Sequence, residues 1–499
     1  MDALEPGRRV PRGVVLRAAA RRRVPVRVGR ADDEPRPRAA ARVRRADRRD
    51  LLPAALRRLP RLVLGRRRDP RRAALPHVLR RLRLGEAGDA AVRAARQERV
   101  GLPRLRGALH RKLSRRHLDP AAHARLARAA LDRSGVSEGR PPVVYGATGF
   151  TGRLVVDEMR RIGLVPILAG RNEKALEEMA DAVGAAGVRV GDATRPETLA
   201  KVFDGAGVAV SCAGPFARLG EPVLRAAIAA GAHYLDTTGE QLWMARMMDL
   251  LSDDAARAGT TAILAHAFEY AVGDCAARIA IEETPDAETV EIVNRVDGFG
   301  ATRGTKKSAL DVLTKPALAV VNGRRREEPQ MAHRARFRFP DEDARHVALS
   351  YAGGEVLSAP SFAPTVRTVR TYLAVPGPVA AIAPLFARGA GLLLGARVQR
   401  FLESRIDAGG IGPGDERRDQ PWWVMARVRA RGGRGTRVTA SGYDPYGITA
   451  VIVALGAQWL LDGRAQRSGV VTSAQAFDPR AFLDALSASG VSWRVDPAD

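Results

Sequence analysis

Beyond residue 140 the chain alternates between short apolar runs and longer stretches whose apolar positions recur every three or four residues. Val143 to Tyr145 reads as a strand, Arg153 to Ile162 as a helix, and Leu164 to Gly170 as a second strand. Val188 to Asp192 follows as a third strand and Pro196 to Phe203 as the next helix. Val208 to Cys212 is a near-continuous apolar run, the pattern of a strand covered on both faces. Pro222 to Ala230 reads as a helix, His233 to Asp236 as a strand, Gln241 to Arg257 as a helix and Thr260 to Leu264 as a strand. Strands alternating with helices of this length predict an α/β fold with a Rossmann-type, doubly wound parallel sheet.

After Cys275 the pattern changes. Ala287 to Val296 alternates like a strand, Thr305 to Val321 reads as a helix, and Arg324 to Glu328 as a solvated loop. Arg334 to Phe339 and Trp422 to Ala430 read as strands, and Gly447 to Leu461 as a long apolar helix. These elements predict a second α+β domain. The expected organisation is an arginine-rich leader over 1–140, a dinucleotide-binding domain over 141–275, and a substrate or dimerisation domain over 276–499.

The first predicted turn carries the clearest chemistry. Gly146-Ala147-Thr148-Gly149-Phe150-Thr151-Gly152 links strand to helix with the spacing G-x-x-G-x-x-G. In such a turn one glycine permits the tight bend, the next lets backbone approach a pyrophosphate, and the third lets helix and strand pack closely. Free N–H groups and the helix dipole then favour the anion. Where an NAD site places an acidic residue, at the end of the second strand, this chain has Arg171 followed by Asn172. A guanidinium there suits the 2′-phosphate of NADP. The fourth strand ends at Cys212 and opens into Ala213-Gly214-Pro215-Phe216, a turn expected to lie against the nicotinamide ribose. The expected cofactor residues are therefore Gly146, Thr148, Gly149, Phe150, Thr151, Gly152, Arg171, Asn172, Cys212, Ala213 and Gly214.

With a nicotinamide cofactor supplying hydride, the protein must supply orientation and a proton. Doubly wound sheets bind ligands at the C-terminal ends of their strands, so the candidate donors are Tyr234, Asp236, Glu240, His266 and Tyr270. Each also has a plain structural reading: Asp236 as a helix cap, Tyr234 and His266 as core residues. No G-x-S-x-G elbow marks an acyl-transfer nucleophile. Cys212 and Cys275 are the two cysteines, too few for a disulfide framework or metal spacing, and no metal site is expected.

Charge divides the chain. Residues 1–140 hold 40 Lys and Arg against 14 Asp and Glu, while the remaining 359 residues hold 42 against 41. The net charge of +27 is thus a property of the leader, and the folded part is nearly neutral. The leader has no Phe, Tyr, Trp or Ile, and so little to bury against the entropy of ordering it. Three readings compete: a disordered basic arm for nucleic acid or anionic lipid, a targeting peptide, or sequence ahead of the natural start. Aromatics for base stacking are missing, so no specific nucleic-acid partner is expected. Asp32-Asp33-Glu34 counts against a targeting peptide. The third reading is preferred, with a start near Val136.

Taken together, Tyr145 to Gly152, Ala169-Gly170-Arg171, Cys212 to Phe216 and Tyr234 to Glu240 resemble the saccharopine dehydrogenase-like oxidoreductases. The similarity is greatest to the bacterial branch that includes trans-acting enoyl reductases of lipid biosynthesis. Gly304-Thr305-Lys306-Lys307-Ser308 and Asp444 to Thr449 are similar to segments of that branch's second domain. One departure stands out: His266 to Asp274 replaces the branch's Gly-Phe-Asp-Ser-x-Pro-Ser-Asp segment near the substrate. The resemblance implies an NADP-dependent oxidoreductase acting on an enoyl group of a lipid or polyketide-like precursor. Amino-acid dehydrogenation and non-catalytic NADP sensing stay open as alternatives. Pro378 to Ala396 is the most apolar stretch, broken by Pro384, Arg388, Gly389 and Gly391. Those breaks argue against a spanning helix and for a cover over a lipid-like substrate, a membrane-surface contact or a buried helix. The expectation is a cytoplasmic protein, peripheral to a membrane at most, with an acyl substrate that a synthase could present, and with a homodimer allowed.

Overall fold

A computed structural model describes residues 139–298, 302, 305–307, 310, 315–378, 380–381, 404–406 and 412–498. The leader up to residue 138 and most of the apolar stretch at 378–396 lie outside them.

The first sheet contains β1 (Pro142–Tyr145), β2 (Ile167–Gly170), β3 (Gly187–Val190), β4 (Val208–Ser211), β5 (His233–Asp236) and β6 (Thr261–Ile263). Its strands lie in the order β3-β2-β1-β4-β5-β6, all parallel. This is the Rossmann order, with the chain reversing direction at β1/β4. A seventh strand, β15 (Gly469–Val471), adds in parallel at the β6 edge. Part of the 276–499 segment therefore returns to complete the first sheet.

Alternation along each strand separates two cores. Val144, Leu168, Val210, Leu235 and Ile263 face α1 (Phe150–Arg161), α6 (Phe268–Glu282) and α8 (Pro445–Leu461). Val143, Tyr145, Ile167, Ala209 and Tyr234 face the other layer, formed by α3 (Leu199–Phe203), α4 (Phe216–Ala229) and α5 (Gln241–Arg257). Between β2 and β3, α2 (Glu173–Val183) completes the alternation.

Beyond α6 the chain builds a second, mixed sheet. Its main path is β10-β11-β12-β7-β13-β14-β16, with β8 and β9 attached at β12. These strands are β7 (Ala287–Val296), β8 (Ala317–Val321), β9 (Arg324–Glu328), β10 (Arg334–Arg338), β11 (Arg345–Tyr351), β12 (Thr368–Ala374), β13 (Pro421–Ala430), β14 (Gly435–Tyr443) and β16 (Ser492–Pro497). Helix α6 lies between the sheets and is apolar nearly all round, burying twelve of its fifteen residues. Val290, Ile292, Val424 and Ala426 of the second sheet belong to the same core as the first sheet's Val144 and Ile263. The two sheets thus share one hydrophobic layer through α6.

Three sequence expectations need correction. The helix expected over Thr305 to Val321 gives way to β8 at Ala317, and the loop expected at Arg324 to Glu328 is β9. Asn322 (φ 53°) and Gly323 (φ 74°) form the turn between them. An Asn-Gly pair with both residues in the left-handed region is the favoured two-residue hairpin turn. The charges of β9 suit an exposed edge strand, because arginine discourages pairing with another chain. Helix α4 begins at Phe216 rather than Pro222, because its first N–H groups find a partner outside the local sequence. The segment from Phe268 to Asp274 opens α6.

Candidate functional site

The glycine turn has the geometry of an anion cradle. Gly146 adopts φ 83°, and a Cβ on Gly152 would lie 2.2 Å from the Gly146 carbonyl oxygen. Only glycine lets α1 start this close to β1. Helix α1 begins at Gly149 without a side-chain cap, so the first-turn N–H groups are left for a ligand. Gly149 itself is exposed, with φ −72°, and a Cβ there would sit 3.2 Å from the Gly146 oxygen. A side chain at Gly149 asks the turn to give by a few tenths of an ångström, whereas a phosphate resting on the turn would leave it no room. Ala213 closes the other side, 3.1 Å from where a Gly146 Cβ would be.

Arg171 is exposed immediately after β2, near Asp192 and Tyr145, with no acidic residue at the strand end. Uncapped helix, glycine cradle and guanidinium together fit a dinucleotide bearing a 2′-phosphate. Asn172 has a structural role, since its Oδ1 accepts from the Ala175 N–H at 3.2 Å and caps α2. Thr148 and Thr151 are half-buried in the turn. The ring of Phe150 packs edge-on to Tyr446 at 5.3 Å, with the Arg417 guanidinium 5.9 Å from its centroid. Phe150 therefore offers the ligand its backbone, while its ring ties the turn to the later part of the chain. Cys212 follows β4, and burial pushes its thiol up to about 12; Gly214 is exposed beside it.

The proton-donor candidates separate by environment. Tyr234 is fully buried, its hydroxyl facing Ser211 and Asp236, and burial holds it protonated. Asp236 accepts through Oδ1 from the N–H groups of Thr238 (3.0 Å) and Ala265 (2.8 Å), and burial raises its carboxyl to about 7. Glu240 accepts from the N–H groups of Phe216 (2.8 Å) and Ala217 (2.7 Å). It is the cap that sets the start of α4. His266 lies in an aromatic box with Phe477 and Phe482, its Nδ1 2.8 Å from Ser473 Oγ. Burial lowers it to about 3, so it is a neutral core histidine. Tyr270 donates to the carbonyls of Gly239 and Ala352, both at 3.1 Å, joining the β5 loop to the second sheet.

Gln241 makes a parallel bridge. Its amide donates to the Gly353 and Leu318 carbonyls at 2.6 and 3.1 Å and accepts from the Leu318 N–H at 2.6 Å. An open groove of about 730 Å³ between α3 and α4, lined by Pro196, Arg218, Glu221 and Arg225, includes none of the turn residues.

One group was passed over in the sequence. Glu269, in the first turn of α6, is half-buried, and burial raises its carboxyl to about 7. It lies within electrostatic reach of Tyr270, Tyr351, Glu355 and Tyr446. An acidic residue beside Tyr270 after the sixth strand was the available signal. For Tyr351 and Glu355, far along the chain, no local signal exists. Gly304 and Ser308 lie outside the described residues. Thr302 N–H donates to the Tyr446 hydroxyl at 3.0 Å, and Thr305 Oγ1 lies 3.1 Å from it. Among the described residues no helix is long and apolar enough to cross a membrane.

Comparison with known proteins agrees with this geometry. Residues 143–263 match the family described as saccharopine dehydrogenase NADP binding domain. A trans-acting enoyl reductase of Mycobacterium ulcerans is 34% identical over 138 residues, 26% of this chain and 33% of that protein. A Mycobacterium tuberculosis protein carrying the same designation provisionally is 33% identical over 186 residues, 34% of this chain and 44% of its own length. These matches span less than half of the relatives. The apo saccharopine dehydrogenase (L-Glu forming) of Saccharomyces cerevisiae superposes with a TM-score of 0.51 at 13% identity, covering 72% of this chain and all of that one. At that identity the likeness is one of fold. Residues 143–263 thus resemble the saccharopine dehydrogenase NADP binding domain, and the cofactor of this domain is NADP.

Proposed function

We propose that this protein reduces the enoyl double bond of a lipid or polyketide-like precursor, with NADPH as the hydride source. The observation that carries the reading is the similarity to mycobacterial trans-acting enoyl reductases over 138 and 186 residues, on a chain whose turn and Arg171 suit NADP. The second sheet supports it by meeting the first at the ends of its strands, where Tyr270 and Gln241 reach the Ala352 and Gly353 carbonyls. The apolar stretch at 378–396 suits a long-chain acceptor rather than a small polar one. In this reading the acyl chain reaches the site on a partner synthase, and contact with a membrane surface is peripheral.

The chain's own residues then hold the dinucleotide on the Gly146–Gly152 backbone, select the 2′-phosphate with Arg171, and keep water from the reacting end with α6 and the second sheet. Bound NADPH supplies the hydride. The test is incubation of the protein and NADPH with enoyl-acyl thioesters, ketoacyl thioesters and amino-acid imines, followed by product mass. A two-hydrogen gain on the enoyl thioesters is expected. Gain on the imines alone would move the assignment to amino-acid dehydrogenation, and no gain on any would favour a non-catalytic NADP sensor.

A further inference from the structure

A group of polar side chains is buried where α6 meets the second sheet, and three of its oxygen atoms lack partners. Glu355 opens the short helix α7 (Glu355–Ser358) and is 1% exposed, yet among the described residues neither carboxyl oxygen has a hydrogen-bond partner. Its Oε1 presses on the backbone of α6: a Cβ on Gly273 would lie 2.3 Å from it. Glu269 and Gly273 are four residues apart and share that face of the helix. From β7, Asn294 donates its amide to the Tyr351 hydroxyl and leaves its own Oδ1, 2% exposed in the residue, without a partner. Ile292 and Asn294 point to the same side of β7, and Ile292 Cγ2 is 3.4 Å from the same Gly273 Cβ position.

Buried polar atoms without partners are uncommon, and a buried ionised carboxylate without one costs far more than a neutral acid. Glu355 is therefore a carboxylic acid, and burial beside Asp274 and Glu269 holds its carboxyl well above the usual range. Of the two acids, Glu355 is buried and Glu269 is half-buried. An unpartnered buried acid within electrostatic reach of a half-buried one, with a tyrosine that both acids reach and an amide bonded to it, has the form of a proton store with an outlet.

We propose that Glu269 and Glu355 form an acid pair in which Glu269 is the proton donor to the substrate, while Glu355, with Tyr351 and Asn294, is a positioning group that keeps that proton in place. The donor role rests on the enoyl reading above. Hydride addition at the β-carbon forms a C–H bond and moves the π pair onto the α-carbon and its carbonyl. The O–H bond of Glu269 then breaks, its proton forms the second C–H bond at the α-carbon, and Glu269 is left as carboxylate until solvent or Glu355 reprotonates it. The electrons balance, since the added hydride is the only reductant needed.

The experiment is an infrared-monitored pH titration of the full chain without cofactor, on wild type, Glu269→Gln and Glu355→Gln, with NADPH binding and circular dichroism as folding controls. Wild type is expected to retain protonated-carboxyl absorbance at pH 6 that falls as pH rises through about 7. Each variant should lose part of that absorbance, and in Glu269→Gln the remaining Glu355 step should move to lower pH. In the thioester assay Glu269→Gln should lose roughly 100-fold or more in turnover, the range of a lost general acid, with NADPH affinity unchanged. Its rate should also lose the decline above pH 7. If both variants match wild-type absorbance at pH 6, there is no acid pair. If the absorbance changes as expected but Glu269→Gln keeps its turnover and pH profile, Glu269 is not the donor. If wild type reduces none of the substrates, the enoyl reading fails, and the infrared titration alone upholds or overturns the pair.

Discussion

The phosphate turn and the start of α6 both follow strands of the same sheet, and they are built in opposite ways. At Gly146 to Gly152 the ligand contacts come from backbone, and the local sequence supplies nearly everything: glycines where a Cβ would collide, and an uncapped helix behind them. At Ala267 to Asp274 the chemistry comes from side chains, and their meaning depends on what folds against them. His266 and Glu269 are three residues apart, yet burial lowers one to about 3 and raises the other to about 7. A backbone site is written in consecutive residues. A side-chain site is written in the packing.

If that contrast holds, a side chain placed in the turn should harm binding without harming the fold. Gly149→Val is expected to remove NADPH binding from the range of a fluorescence titration, because the new side chain occupies the pyrophosphate's place while its Cβ meets only the Gly146 carbonyl oxygen, at 3.2 Å. Circular dichroism should be unchanged. Retained affinity would mean that the dinucleotide does not lie on this turn.

A smaller and selective effect is expected one strand away. Arg171→Ala should cost about 1.5–3 kcal/mol for NADPH, the range of a lost charge-assisted hydrogen bond, or roughly 10- to 150-fold in affinity. NADH binding should hardly move. Equal losses for both cofactors would remove the 2′-phosphate role.

The side-chain half of the comparison predicts a pH effect on stability. His266 is lowered in the fold to about 3 from an ordinary value of 6.5. Its contribution is therefore present above pH 6.5 and is lost as pH falls toward 3. At pH 5 the loss is about 2 kcal/mol relative to neutral pH. His266→Gln should flatten that acid limb in urea denaturation, and an unchanged limb would mean that the histidine is not held neutral.

The smallest expected change is at the junction of the two sheets. Tyr270→Phe removes the hydroxyl that reaches the Gly239 and Ala352 carbonyls, at a cost of about 1 kcal/mol. It should leave NADPH affinity unchanged, because Tyr270 lies away from the turn. A loss of cofactor binding equal to that of Gly149→Val would blur the division between the two sites.

The first domain was legible because its strands are buried on both faces. Val143-Val144-Tyr145 and Val208 to Ser211 carry that burial in their own composition, and Gly146, Gly149 and Gly152 mark the turn by the absence of side chains. Arg171 could be read from its distance along the chain. The hairpin between β8 and β9 was also present locally in Asn322-Gly323, and an apolar run taken for helix concealed it.

Other features had no local cause to read. Helix α4 starts at Phe216 because Glu240, from the loop after the next strand, accepts its first N–H groups. The seventh strand of the first sheet arrives from Gly469, and its pairing with β6 depends on the chain's return from the second sheet. Glu269 is unremarkable in sequence and becomes an acid of raised affinity for its proton only when the folded protein desolvates it. Short-range sterics and hydrophobic periodicity act between neighbours in the chain, so sequence by itself determined the sheet, the turn and the cofactor. Desolvation and electrostatics act between neighbours in space, so only the tertiary structure decided which titratable groups are caps, which are core and which can hold a proton.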